Sequence, residues 1–320
     1  GSLDCYNFSS CITSRRELPT QEWQPDRRTD RREEENYRSN IVYLWQKEQR
    51  FWLQKDRRLD IREGNTQKVT QSYWDTTRQA WVDLQRKIHR DNDKGELIWI
   101  ENLNYDRDND SWYGWITERE YNSQGLITKM TNSYWDDKEK EWVPQTLEET
   151  SYINATQISS QTVMAWRKGP EEWETQSTTS YTYNSDNYLV EIFTHFVNFR
   201  NFARQEYAYD TKGRRILWIE YQNSMTGQAE DWVGNRKEEY DYDDSDRLSE
   251  STTYNWNNTD QRWEDFQRIE NTYPNEGKDI ITEAYNVEFV SEEWFLSKIE
   301  KTFYNSEGLR IFRSRRDRPR

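Results

Sequence analysis

Large aromatic residues recur along this chain about every 30 residues, and a period of that length points to a tandem array of small supersecondary repeats. Trp23, Trp52, Trp81, Trp112, Trp142, Trp173, Trp232, Trp263 and Trp294 stand 29 to 31 residues apart, except for one double step of 59 in which Phe202 takes the missing place. That makes ten repeats, the first two degenerate. Three further columns keep phase with this anchor. Seven residues before it stand Trp45, Trp74, Tyr105, Trp135, Trp166, Met225, Trp256 and Val287. Ten residues after it stand Tyr152, Tyr183, Tyr242, Tyr273 and Tyr304, with Tyr121 and Tyr209 displaced by short deletions. About four residues beyond the tyrosine come Gly95, Gly125, Asn187, Gly213, Asp246, Gly277 and Gly308.

Each column has a physical reading. Gly, Asn and Asp tolerate positive φ, so the last column marks a left-handed position in a tight turn. Words such as Asn122-Ser123-Gln124-Gly125 and Asp210-Thr211-Lys212-Gly213 fit a type I turn closed by a G1 bulge. The aromatic pairs in Tyr73–Trp81 and Tyr134–Trp142 bracket the opposite loop, where two rings can meet across the strands. Between the loops, Leu97, Trp99, Leu103 and Tyr105 keep one parity, the pattern of a half-buried strand, and helical periodicity is nowhere sustained. The expected fold is therefore all-β: an antiparallel up-and-down meander of about 18–20 strands, two per repeat. Open twisted sheets of more than about ten strands curl or split, so a superhelical ribbon or a partly closed barrel is expected.

Composition limits what such a sheet can bury. Apolar residues make up 32% of the chain and charged residues another 32%, with a mean hydropathy of -1.30. Yet 17 Trp, 21 Tyr and 11 Phe are present, so apolar area comes from a few large, spaced rings and not from a thick aliphatic core. A net charge of -14 disfavours a nucleic-acid partner, which needs a basic footprint. Polar strands such as Leu84–Arg90 lack the outward apolar band of a membrane barrel, so no membrane insertion is expected.

The turn words resemble the YD repeats of bacterial Rhs-type toxins and animal teneurins, in which Tyr-x-Tyr-Asp-x-x-Gly-Arg precedes an aliphatic residue. Tyr207-Ala208-Tyr209-Asp210-Thr211-Lys212-Gly213-Arg214-Arg215-Ile216 carries the match best. Tyr240 to Leu248 follows, with Asp246 where the family has Gly. The Trp bracket is not part of that pattern. The resemblance implies a secreted or surface β-sheet that spirals into a shell, with no catalytic residues in its repeats. The texture of the sequence is also similar to secreted repeat proteins of gut-type Bacteroidetes.

Domain organisation reads as a polar N-terminal cap or linker over 1–40 holding a degenerate first repeat, an array over 41–312, and a basic tail over 313–320. Cys5 and Cys11 are equally compatible with a small disulfide loop and with two free thiols. Of the two histidines, His89 stands where other repeats place tyrosine, and His195 has no nucleophile motif nearby. Asp106, Asp108 and Asp110 have the one-three-five spacing of a calcium loop, but Ser111 replaces its glycine and Thr117 its bidentate glutamate. They coincide with a hairpin turn, where Asp is favoured for local hydrogen bonding, so calcium is the lesser reading.

No cofactor motif and no one-off catalytic loop breaks the repeat, so the expected function is non-catalytic: an extracellular or cell-surface scaffold or adhesion module. The alternative is carbohydrate binding, glycans or another surface protein being the partners, through aromatic rows at the loop rims: Trp74, Trp81, Trp135, Trp142, Trp256 and Trp263. A glycoside-processing enzyme comes third.

Overall fold

The computed structural model describes residues 2–6, 10–15, 24–197, 201–223, 232–274, 277–288, 293–305 and 307–317. Among these it contains twenty-two β-strands and no α-helix. In chain order they are β1 Ser2–Tyr6, β2 Ser10–Arg15, β3 Gln24–Glu34, β4 Tyr37–Gln46, β5 Phe51–Glu63, β6 Thr66–Asp75, β7 Ala80–Asp91 and β8 Leu97–Asp106. There follow β9 Ser111–Tyr121, β10 Ile127–Asp136, β11 Glu141–Tyr152, β12 Ile158–Arg167, β13 Glu172–Tyr183, β14 Leu189–Phe196, β15 Asn201–Tyr209 and β16 Arg215–Asn223. The last six are β17 Trp232–Tyr242, β18 Leu248–Asn257, β19 Arg262–Thr272, β20 Ile280–Val287, β21 Trp294–Tyr304 and β22 Arg310–Asp317.

The chain divides into two compact units. The first comprises Gly1–Ser151 and Val163–Glu174, the second Tyr152–Thr162 and Thr175–Arg320. In the first, each strand from β1 to β11 pairs antiparallel with the next. In the second, β13 to β22 do the same. Neither meander pairs its first strand with its last among the described residues, so these are open sheets and not barrels. The strand number exceeds the expected 18–20 because β1, β2 and β3 occupy the polar first forty residues. There charge pairing replaces apolar patterning: Arg28 bonds Asp30 at 2.6 Å and Arg32 bonds Glu34 at 2.5 Å.

The turn chemistry follows the expected columns. Gly95, Gly125, Asn187, Gly213, Asp246, Gly277 and Gly308 all have positive φ. In Asn122–Gly125 the glycine N–H donates to the Asn122 carbonyl at 3.1 Å, and the register shifts by one residue just beyond. That is a type I turn with a G1 bulge. The tyrosine column anchors these turns from the neighbouring hairpin. Tyr121 donates its hydroxyl to the Leu97 carbonyl at 2.9 Å, Tyr209 to Leu189 at 3.0 Å, Tyr242 to Arg215 at 2.9 Å and Tyr273 to Leu248 at 2.7 Å. The arginine after the turn completes the lock. Arg214 bonds Asp210 at 2.6 Å and lies over the next repeat's Tyr242, while Arg247 bonds Asp243 at 2.7 Å and lies over Tyr273.

The opposite loop also requires a left-handed residue, two positions before the anchor, at Arg50, Gln79, Asp110, Lys140, Glu171 and Gln261. No glycine marks this position, so it is silent in the sequence. The loop is held from its first corner. Asp75 Oδ1 accepts from the N–H groups of Thr77 and Arg78 at 2.9 and 3.0 Å, and Asp136 and Asn257 repeat the arrangement.

Candidate functional site

The six rim tryptophans lie directly opposite one another in the hairpin registers: Trp74 with Trp81, Trp135 with Trp142, and Trp256 with Trp263. Each pair is edge-to-face, with ring centroids 5.4, 5.1 and 5.1 Å apart and interplanar angles of 74°, 69° and 74°. All six are partly buried. Neighbouring strands cover part of the surface of three of them. The Arg57 guanidinium lies 4.8 Å over the Trp81 ring. A β-carbon added to Gly234 would come within 2.7 Å of Trp263 and 2.8 Å of Trp256, so this pair rests on bare backbone. Paired in this way, each ring meets its partner across its own hairpin loop edge-to-face.

The bracket is also more regular than the sequence suggests. His195 stacks on Phe202 at 4.6 Å with a 14° interplanar angle, directly opposite in register, so the histidine occupies the column seven residues before the anchor. It lies in β14, which ends at Phe196. Asn223, and not Met225, stands opposite Trp232; Met225 lies outside the described residues.

On the tryptophan face of the second unit, a cation and a glutamate two residues apart recur as Arg204–Glu206, Lys237–Glu239 and Arg268–Glu270, bonded at 2.7 to 3.0 Å. All three cations lie over the aromatic rings of the next hairpin: Arg204 over Tyr221 and Trp232, Lys237 over Tyr254, Arg268 over Tyr285 and Trp294. These stacks fill the role that aliphatic packing has elsewhere. Burial, with the hydrogen bond to Glu239 second, pushes the Tyr254 phenol up. Burial and the bond to Glu238 push Tyr240 up to about 12. Tyr207, Tyr209, Tyr221, Tyr273 and Tyr285 are raised too, burial being the first cause in each.

A phenol that holds its proton more tightly folded than unfolded stabilises the fold fully below about pH 10, and that contribution is lost as pH rises through the folded-state value. The thermal midpoint is therefore expected to be level up to about pH 10 and to fall steeply between there and pH 12. Circular dichroism melts over that range check it; a midpoint unchanged at pH 11.5 would refute it.

Of the three aspartates with calcium-like spacing, Asp106 caps its loop, accepting from the N–H of Asp108 at 2.9 Å and from the Asn109 amide at 2.7 Å, and the Asn109 bond is the first cause of its lowered pKa. Asp110 has φ 49° and accepts from the Tyr105 hydroxyl. Among the described residues no three His, Cys, Asp or Glu side chains are grouped to hold a metal ion. Cys11 is disulfide-bonded, and β1 sets Cys5 opposite it in register.

Residues 232–305 match a family of unknown function, DUF3836. No curated protein matches the chain. Among solved structures, a DUF3836 family protein from Bacteroides vulgatus ATCC 8482 is 24% identical over 29% of this chain and 89% of its own, with a TM-score of 0.24. A porin-like protein from Bacteroides uniformis ATCC 8492 is 11% identical over 75% of this chain and 92% of its own, with a TM-score of 0.31. The TcdB2-TccC3-TEV crystal structure is 11% identical over 93% of this chain and 15% of its own, with a TM-score of 0.35.

Proposed function

We propose that the chain is a non-catalytic β-repeat module of a secreted or cell-surface bacterial protein, serving as a scaffold or adhesion element. The observation that carries this reading is the use of the recurrent side chains in bonds within and between repeats. The tyrosine hydroxyls reach the carbonyls of the preceding hairpin, and the anchor tryptophans pair across their own. A repeat that spends its polar and aromatic groups this way extends a surface and leaves no recurrent group for chemistry. The disulfide at Cys11 favours an oxidising compartment. The likeness to YD repeats gains from the turn lock, since the Tyr, Asp, Gly and Arg of that motif are the residues that join one turn to the next.

The test is made on the source bacterium. Protease applied to intact cells should digest the protein, and without reductant its cysteines should resist alkylation. Full protection from protease together with two alkylated cysteines would overturn the reading.

A further inference from the structure

The repeat itself is accounted for by packing, so a binding site is to be sought where one repeat departs from the others. Such a departure lies in the first unit, on the face opposite the tryptophan bracket. Tyr113 is 57% exposed, Trp115 45% and Tyr134 40%. Tyr134 is directly opposite Trp115 in the β9–β10 register, and Tyr113 lies two residues before Trp115 on the same strand. Alternation puts all three on one face, with the opposed pair about 5 Å apart and the next ring about 7 Å along the strand.

Trp115 has no counterpart in the period. The structurally equivalent residues of the hairpins on either side, Gln85 and Thr146, are polar. Tyr73, which matches Tyr134 two hairpins earlier, has the Arg107 guanidinium 3.8 Å over its ring.

Backbone geometry departs at the same place. The Trp-bracket hairpins β4–β5, β6–β7, β10–β11 and β18–β19 each carry a register shift just inside the bracket. Hairpin β8–β9 runs residue for residue from Asp106–Ser111 to Trp99–Glu118, as β14–β15 does from Phe196–Asn201 to Glu191–Glu206, but only β8–β9 of these two carries an exposed Trp at this position. A bulge raises local twist and bends its strand, so its absence leaves this stretch flatter. Gly114 permits it, because a β-carbon there would collide with the backbone carbonyl of Asn102.

Side-chain amides and hydroxyls flank the rings. Asn102 and Asn104 stand opposite Trp115 and Tyr113, and Gln85 donates to Asn104 at 2.6 Å. Beside them, the buried Thr117 donates to Asn132 at 2.6 Å and so orients that amide, which donates to Thr146 at 3.2 Å.

We infer that this flat face is a binding platform for a neutral polysaccharide. Aromatic rings exposed side by side on one face offer apolar surface to the C–H faces of pyranose rings, while amides alongside match sugar hydroxyls. The net charge of -14 disfavours polyanionic glycans. A protein partner would call for a larger continuous apolar surface than three rings among amides. The inference deepens the adhesive reading and rests on the chain meeting glycans outside the cell.

The test is affinity electrophoresis of the purified full chain in native gels containing laminarin, xyloglucan, galactomannan or arabinoxylan, with pectin as the polyanion. At least one neutral polymer should retard the chain. The Tyr113→Ala/Trp115→Ala double variant should bind at least ten-fold more weakly while keeping the parent's circular dichroism spectrum and a cooperative melt well above the assay temperature. Phe266→Ala, which removes an exposed ring from the second unit, should bind as the parent does. Retardation by pectin alone, by none of the polymers, or equally in parent and double variant would overturn the platform. Such a failure leaves the scaffold reading intact, since that is decided in cells by protease access and thiol labelling.

Discussion

Truncation of Arg86 to alanine is expected to destabilise the first unit by about 3 kcal/mol, because it strands a carboxylate in an apolar setting. Glu101 is 5% exposed and stands opposite Ile88 on one side and Ile116 on the other, the latter 2% exposed. Its partner is the Arg86 Nε, at 2.6 Å. The ion pair itself adds little net stability, since the Glu101 carboxylate recovers its dehydration only partly from a guanidinium that stays 37% exposed, but a lone buried charge has no compensation. An Arg86→Met/Glu101→Leu double variant should therefore recover most of the loss. Urea unfolding followed by circular dichroism on the parent, both single variants and the double variant gives the comparison. A double variant as unstable as Arg86→Ala would show that shape, and not the stranded charge, sets the cost.

The second large effect is expected at the bracket. Trp135→Ala removes a partly buried ring that meets Trp142 edge-to-face at 5.1 Å and donates its indole N–H to Asp137 at 3.0 Å. Complete burial of such a ring is worth about 3–5 kcal/mol on truncation, and partial exposure brings the expected loss to about 2–3 kcal/mol. Trp135→Phe keeps the ring contact but loses the hydrogen bond, and should cost about 1 kcal/mol. The same urea titration measures both. An alanine variant within about 0.5 kcal/mol of the parent would mean that the bracket is ornamental to stability, and the rim would again be a candidate for ligand binding.

Much of this architecture is legible in the residues because it is local. A hairpin turn is decided by whichever residue tolerates positive φ, and Gly213 or Asn187 announces it within four positions. Trp74 and Trp81 lie seven residues apart around a short loop, so their pairing needs no knowledge of the rest of the chain. The left-handed residues before the anchors, such as Gln79 and Lys140, leave no mark in the sequence because no residue type is required there once Asp75 or Asp136 caps the loop.

The sequence by itself determined the strand order, the antiparallel pairing, the turn positions and the aromatic bracket. All of these follow from period, parity and turn chemistry over spans shorter than one repeat. Only the tertiary structure decided which groups were already spoken for. Tyr273 reaches a carbonyl 25 residues back, and Arg57 covers a tryptophan two strands away. It also decided what remained exposed. A single bulged residue turns the following side chains to the other face, so the missing bulge in β8–β9, and with it the open aromatic face around Trp115, emerges only when each strand is laid against its neighbour.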